Sequence, residues 1–60
     1  MYSDKHSHII NNGDTVNVDA TDDNVEFTGT VIGFKDEFVQ VEDQESNVFD
    51  MLPTELEVDL

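Results

Sequence analysis

The stretch Gly29–Glu45, GTVIGFKDEFVQVEDQE, decides the fold because it predicts two β-strands joined by a tight turn. Valines and phenylalanines alternate with other residues on both sides of the turn, which is typical of strands with one buried face. The same stretch holds one lysine and five acids. The hairpin therefore raises a functional question: what does a small β-protein with so acidic a surface bind?

The register of this hairpin follows from the expected length of its turn. If residues 35–37 form a three-residue loop, the alternation sets which residues lie opposite one another. The expected cross-strand pairs are Phe34 with Phe38, Ile32 with Gln40 and Val31 with Val41. This register turns the valines toward the core and leaves Ile32, Phe34 and Phe38 pointing the other way.

The remaining elements extend outward from the hairpin. Residues 14–20, DTVNVDA, alternate as a strand, and PTE at 53–55 suits a single 3₁₀ turn because proline fixes φ where such a turn begins. Strands are predicted at 14–20, 25–34, 38–42, 47–52 and 56–60. The expected core is Val16, Val18, Val25 or Phe27, Val31, Val39, Val41, Val48, Leu52, Leu56 and Val58. Either Val48 or the adjacent Phe49 can face inward, but not both.

The N-terminal residues 1–12 show no periodicity, and Asn-Asn-Gly-Asp at 11–14 is turn chemistry. We therefore expect a flexible N-terminal tail at 1–12, followed by a single small β-barrel domain at 13–60. Both histidines lie in the tail as His-Ser-His. They could bind a transition metal from an extended segment, but a flexible tail explains them without one.

Five short strands separated by turns predict a curled antiparallel sheet or a small barrel. GDTVNV, then GTVIGF with FVQV as the central hairpin, then LPTELEV, resembles the SH3-like small β-barrels, including KOW-type modules, over Gly13–Val58. The resemblance implies an all-β, five-stranded barrel with a short 3₁₀ turn before the last strand. KOW-type modules present basic residues to nucleic acid, whereas the corresponding loops here carry acids.

Charge is the strongest functional signal in the chain. Fifteen acids, two lysines and no arginine give a net charge of −13. Such a field repels nucleic-acid backbones and anionic lipid, and it attracts basic surfaces in a salt-dependent manner. We therefore expect a basic protein surface as the partner, and neither direct nucleic-acid nor membrane binding. Improved solubility and adaptation to high salt are alternative explanations of the charge.

No pattern in the chain predicts catalysis or a bound cofactor. There is no cysteine, no phosphate-binding glycine loop and no Ser-His-Asp set in a suitable context. The acidic clusters at 19–26 and 42–45 lack the spacing of a calcium loop, so solvated acidic turns explain them better. The expected protein is not an enzyme and holds neither metal nor cofactor.

The function predicted from these observations is an acidic binding module, which could be a viral accessory or regulatory factor. In its sharpest form it is a nucleic-acid mimic that inhibits a nucleic-acid-binding protein. The alternative is a structural adaptor, or a decoration protein of a larger assembly, that uses an apolar patch. No apolar run exceeds two residues, so an intracellular, cytoplasmic location is expected, in the host cell if the protein is viral. The candidate partner-binding residues are Asp19, Asp22, Asp23, Asp36, Glu37, Glu42, Asp43, Glu45, Ile32, Phe34 and Phe38.

Overall fold

A computed structural model describes all 60 residues and shows an all-β protein with five antiparallel strands in one sheet. The predicted all-β class, the five strands and the 3₁₀ turn are confirmed. The elements are β1 (Thr15–Val18), β2 (Phe27–Lys35), β3 (Phe38–Glu42), β4 (Val48–Met51), a 3₁₀ turn (Pro53–Glu55) and β5 (Leu56–Val58). No helix reaches the length and apolarity needed to cross a bilayer.

The expected closure into a barrel does not occur. The strand order is β4-β3-β2-β1-β5, so β4 and β5 are the two edges of an open sheet and do not pair with each other. The outer side of β5 is already occupied by the N-terminal segment. The Val58 N–H donates to Asp4 Oδ2 at 2.7 Å, and the Lys5 N–H donates to the Leu56 carbonyl at 3.0 Å.

The N-terminal segment, expected to be a flexible tail, is packed on the sheet in this structure. Ser3 and Ile9 form a β-bridge, and the Ile10 N–H donates to the Tyr2 carbonyl at 2.9 Å. Ile10 is 3% exposed and joins the core, while the Asp4 side chain is fully buried. An apolar anchor and a carboxylate that satisfies backbone donors hold the segment in place.

The central hairpin departs from the expected register because β2 contains a β-bulge. Val31 lies opposite Val41 as predicted, but the next pairs are Gly33 with Gln40, Phe34 with Val39 and Lys35 with Phe38. Ile32 is the extra residue, so every position after it is displaced. The turn consequently has two residues, Asp36 and Glu37. Asp36 has a φ of 55°, a conformation that such tight hairpin turns require.

The core lies on one face of the sheet. It consists of Ile10, Val16, Val18, Val31, Val39, Val41, Leu56 and Val58, with Tyr2, Phe27, Phe34 and Met51 packed against it. Two predicted core residues, Val48 and Leu52, lie outside it and are exposed, and of the alternatives Val25 and Phe27 it is Phe27 that packs against the core. Phe49 faces the core side instead of Val48, because Phe49 pairs with the buried Val41 and its ring lies 5.2 Å from that of Phe27.

One glycine is required by close packing between β2 and β3. A Cβ placed on Gly29 would lie 2.5 Å from Val41 Cγ1 and 2.8 Å from the Glu42 carbonyl oxygen. Both distances are too short for van der Waals contact, and the second atom belongs to the backbone. Gly29 therefore allows the two strands to approach as the sheet bends.

Candidate binding surface

The acids of this protein lie almost entirely on its surface. Of the fifteen, only Asp4 is buried, nine are exposed and the other five are partly exposed. Of the two lysines, Lys5 donates to Asp19 Oδ1 at 2.6 Å, and this bond is the main cause of the raised pKa of Lys5. Little positive charge therefore remains to offset the carboxylates.

The fold distributes the eight acids predicted to bind a partner between two ends of the sheet. Six lie at one end: three in the β1–β2 connection, and three at the end of β3 or in the β3–β4 loop. These segments are neighbours because Thr30, near the start of β2, pairs with Glu42 at the end of β3. We call these six the acidic end: Asp19, Asp22, Asp23, Glu42, Asp43 and Glu45. The remaining two, Asp36 and Glu37, form the β2–β3 turn at the opposite end of the hairpin.

Next to the acidic end, the outer face of the sheet is polar. A shallow depression there is lined by Thr15, Thr28, Gly29, Thr30, Glu42, Asp43 and Gln44. Nearby, the Thr28 hydroxyl donates to Asn17 Oδ1 at 3.0 Å, and Asn17 Nδ2 donates to Glu57 Oε1 at 3.4 Å. His6 Nε2 lies 3.0 Å from Glu57 Oε2, which extends this polar row to the N-terminal segment. The surface offers hydrogen-bonding and charged groups instead of an apolar cleft.

The three predicted apolar contact residues do not form one patch. Phe34 packs against the core, and its ring stacks on that of Tyr2 with 4.6 Å between centroids. The Tyr2 hydroxyl also donates to the Asp36 carbonyl at the hairpin turn. Ile32 is 41% exposed at the bulge, and Phe38 is half-buried. The bulge separates these residues, because it turns Phe34 to the side of Val39.

Asp43 shapes the loop between β3 and β4. Its Oδ1 accepts the backbone N–H groups of Glu45 at 2.8 Å and of Asn47 at 2.9 Å. The Asn47 N–H is the main cause of a lowered pKa for Asp43; burial opposes it, and the Glu45 N–H and the Asn47 amide add to it. Asp43 is thus both a surface charge and the residue that holds this loop in shape.

Asp4 is a structural carboxylate whose role was not predicted from the sequence. Oδ1 accepts the N–H groups of His6 at 2.9 Å and His8 at 2.8 Å, while Oδ2 accepts that of Val58. Burial, the largest influence, would raise its pKa, but these three bonds and the nearby His8 together lower the pKa of Asp4 to about 2. The pattern Asp-x-x-Ser occurs at both Asp4 and Asp43, and this repeat was a signal in the sequence for a shared turn.

The residues with potential for metal binding are dispersed. His6 faces Glu57, and His8 Nδ1 lies 3.5 Å from Asp4 Oδ2. No three histidine, aspartate or glutamate side chains come close enough together to hold a metal ion.

Comparisons with known proteins assign no relationship. No protein-family model matches the chain, and neither the curated proteins nor the solved structures show significant similarity to it. Its function is therefore inferred from its own surface.

Proposed function

We propose that this protein is a non-enzymatic acidic module that docks on a basic protein surface in the cytoplasm. Its proposed partner is a nucleic-acid-binding protein, which it inhibits by presenting carboxylates where that protein normally meets phosphates. A small accessory or regulatory factor, such as a viral one acting in a host cell, fits this description.

The observation that carries the proposal is the arrangement of charge on the folded chain. Fourteen of fifteen acids reach the surface, and the one that does not is used to hold the fold. A negative electrostatic potential over nearly the whole surface attracts positively charged surfaces and speeds their encounter with the protein. If charge served only to keep the protein in solution, no competition with nucleic acid would be expected.

The acidic end gives nucleic-acid mimicry its structural support. Five of its six carboxylates lie on two neighbouring connections and the sixth, Glu42, ends β3, and the adjacent outer face of the sheet is polar. Proteins that bind nucleic acid do so largely with lysine and arginine placed against phosphates. Clustered carboxylates can engage the same cations, so the basic groove of such a protein is a fitting target.

The adaptor alternative receives less support from the structure. Its proposed anchor was a patch of Ile32, Phe34 and Phe38, but Phe34 is engaged by Tyr2 within the same chain. An exposed apolar patch marks an interface when its members are contiguous, and these are not.

The experiment that tests the proposal is capture of lysate proteins on the immobilised protein, with and without added duplex DNA. We expect the captured proteins to include nucleic-acid-binding proteins, to be displaced by DNA, and to be lost as salt rises from about 50 to 200 mM. The measurement is the bound amount of each protein, quantified by mass spectrometry.

Two matched variants separate charge from shape. One neutralises four exposed acids through Asp22→Asn, Asp23→Asn, Glu37→Gln and Glu45→Gln, and the other keeps their charge through Asp22→Glu, Asp23→Glu, Glu37→Asp and Glu45→Asp. We expect the neutralised variant to lose binding and the charge-preserving variant to retain it. Capture that resists salt, ignores DNA and survives neutralisation would contradict the proposal.

A further inference from the structure

The two edges of the sheet differ in whether their outward backbone groups have partners. In an antiparallel pair, alternate residues direct their N–H and C=O groups toward the neighbouring strand, and the residues between direct them outward. On β5 the outward residues are Leu56 and Val58, and both are bonded to the N-terminal segment. That edge is covered.

The outward residues of β4 follow from the loop that precedes it. The Asp43 N–H donates to the Asn47 carbonyl at 2.9 Å, which makes these two residues a hydrogen-bonded pair at the start of the β3–β4 ladder. Alternation from that pair directs Phe49 and Met51 toward β3, and Val48 and Asp50 outward. The N–H and C=O groups of Val48 and Asp50 have no partner in the structure. The β4 edge is open.

The side chains along β4 define what could pair with it. Phe49 and Met51 lie on the core side and are only half-buried, so apolar area remains uncovered there. On the outer side, Asp50 is exposed beside Gln40, and the half-buried Glu42 lies opposite Val48. A strand added here would meet apolar surface on one face and, on the other, the carboxylates of Asp50 and Glu42 beside the exposed Val48 side chain.

We propose that the β4 edge, Val48–Met51, binds an extended basic segment of a partner protein, which pairs with it as a sixth strand. The segment alternates apolar residues, which cover Phe49 and Met51, with lysine or arginine, which meet Asp50 and Glu42. Main-chain bonds to Val48 and Asp50 supply the attachment, and the alternating side chains supply selectivity.

Charge favours this occupant over a second copy of the chain. Pairing two β4 edges would bring together two chains that each carry a net charge of −13. A charged residue on an edge strand, such as Asp50, is also a common means of preventing self-pairing. A basic strand makes the electrostatic interaction attractive, because its charge is opposite to that of the protein.

The inference rests on the proposed function and specifies how the docking would occur. Its test is titration of the ¹⁵N-labelled protein with a short peptide of alternating valine and lysine. The control peptide has the same sequence but is N-methylated at the residues that would face β4, so it keeps its charge and cannot donate those hydrogen bonds. We expect the largest amide shifts at residues 48–52, slower hydrogen exchange at Val48 and Asp50, and about tenfold weaker binding of the control peptide.

A protein variant provides a second readout. Proline is tolerated as the first residue of a strand, and Val48→Pro removes an outward N–H without removing a bond to β3. We expect Val48→Pro to weaken binding of the unmethylated peptide, and Val48→Thr, which keeps the N–H, to leave it nearly unchanged. Dispersed methyl signals from the core valines show that each variant is folded.

Three outcomes would overturn the inference, and they are distinguishable. Equal binding of both peptides, with shifts spread over the acidic surface, would leave charge attraction intact and exclude strand pairing. Concentration-dependent shifts at β4 without peptide would identify a second copy as the occupant. Absence of binding by either peptide would count against the inference and also against the proposed attraction to basic segments.

Discussion

Two five-residue loops at opposite edges of the sheet have the same internal structure. They are Asp4–His8, DKHSH, and Asp43–Asn47, DQESN. In each, the aspartate N–H donates to the carbonyl of the fifth residue, at 2.8 and 2.9 Å, and the serine N–H donates to the aspartate carbonyl, at 3.0 and 3.2 Å. In each, aspartate Oδ1 accepts the N–H groups of the third and fifth residues, and the serine has a φ of 67°.

The loops differ in the use of the second carboxylate oxygen. Asp4 Oδ2 accepts the N–H of Val58 from the edge strand β5, at 2.7 Å. Asp43 Oδ2 has only the Asn47 side-chain amide of its own loop, at 3.4 Å. The same type of turn therefore covers the β5 edge at Asp4, whereas at Asp43 it connects β3 to β4, whose outer edge stays open.

Substituting each aspartate by asparagine should produce the largest difference in melting temperature between the two loops. In Asp43→Asn the new side chain keeps an oxygen for both loop N–H groups, so the melting temperature should change little. In Asp4→Asn the amide NH₂ must face either the loop donors or the Val58 N–H, which leaves a buried donor without an acceptor. We expect Asp4→Asn to lower the melting temperature by roughly 10 °C, measured by circular dichroism. Equal effects of the two substitutions would show that the second oxygen does not distinguish the loops.

The second prediction concerns the melting temperature at acid pH. Because the pKa of Asp4 falls from its ordinary value of 3.8 to about 2 on folding, its contribution to stability is complete above about pH 4 and is lost between about pH 4 and 2. Lowering the pH toward 4 reduces the net negative charge of the protein and so relieves repulsion. We therefore expect the melting temperature to be highest near pH 4 and to fall below it. Thermal melts of Asp4→Asn should show a smaller fall from about pH 4 to 2, and an unchanged fall would contradict the role of Asp4.

The smallest expected change in melting temperature comes from replacing the serine of each loop by glycine, and it should be the same in both loops. Ser7 and Ser46 share a positive φ that glycine adopts without steric cost, although glycine also gives the unfolded chain more freedom. We expect Ser7→Gly and Ser46→Gly each to raise the melting temperature by roughly 2–5 °C. A rise at only one position would show that the two turns differ in strain as well as in packing.

Much of the fold could be predicted from local patterns. Alternation of valines located β1 and β3, and the proline of the PTE segment located the 3₁₀ turn. Gly33 is a sequence signal for a bulge, and the bulge does lie beside it, but the sequence did not show that Ile32 is the extra residue or that Phe34 would move away from the expected patch. The Asp43 turn followed from its composition, whereas the role of Asp4 depends on Val58, 54 residues away along the chain. The acidic surface was evident from composition, but its division between two ends required the strand register.

Amide hydrogen exchange in the free protein, compared between the two edges, tests whether the Asp4 loop closes the β5 edge while the β4 edge stays available to a partner. We predict that the Val58 amide exchanges slowly, near the rate of global unfolding, and that the Val48 and Asp50 amides exchange rapidly. In Asp4→Ala, which removes both carboxylate oxygens, the Val58 amide should exchange as fast as that of Val48. Protection of Val48 and Asp50 equal to that of Val58 in the monomer would contradict the claim.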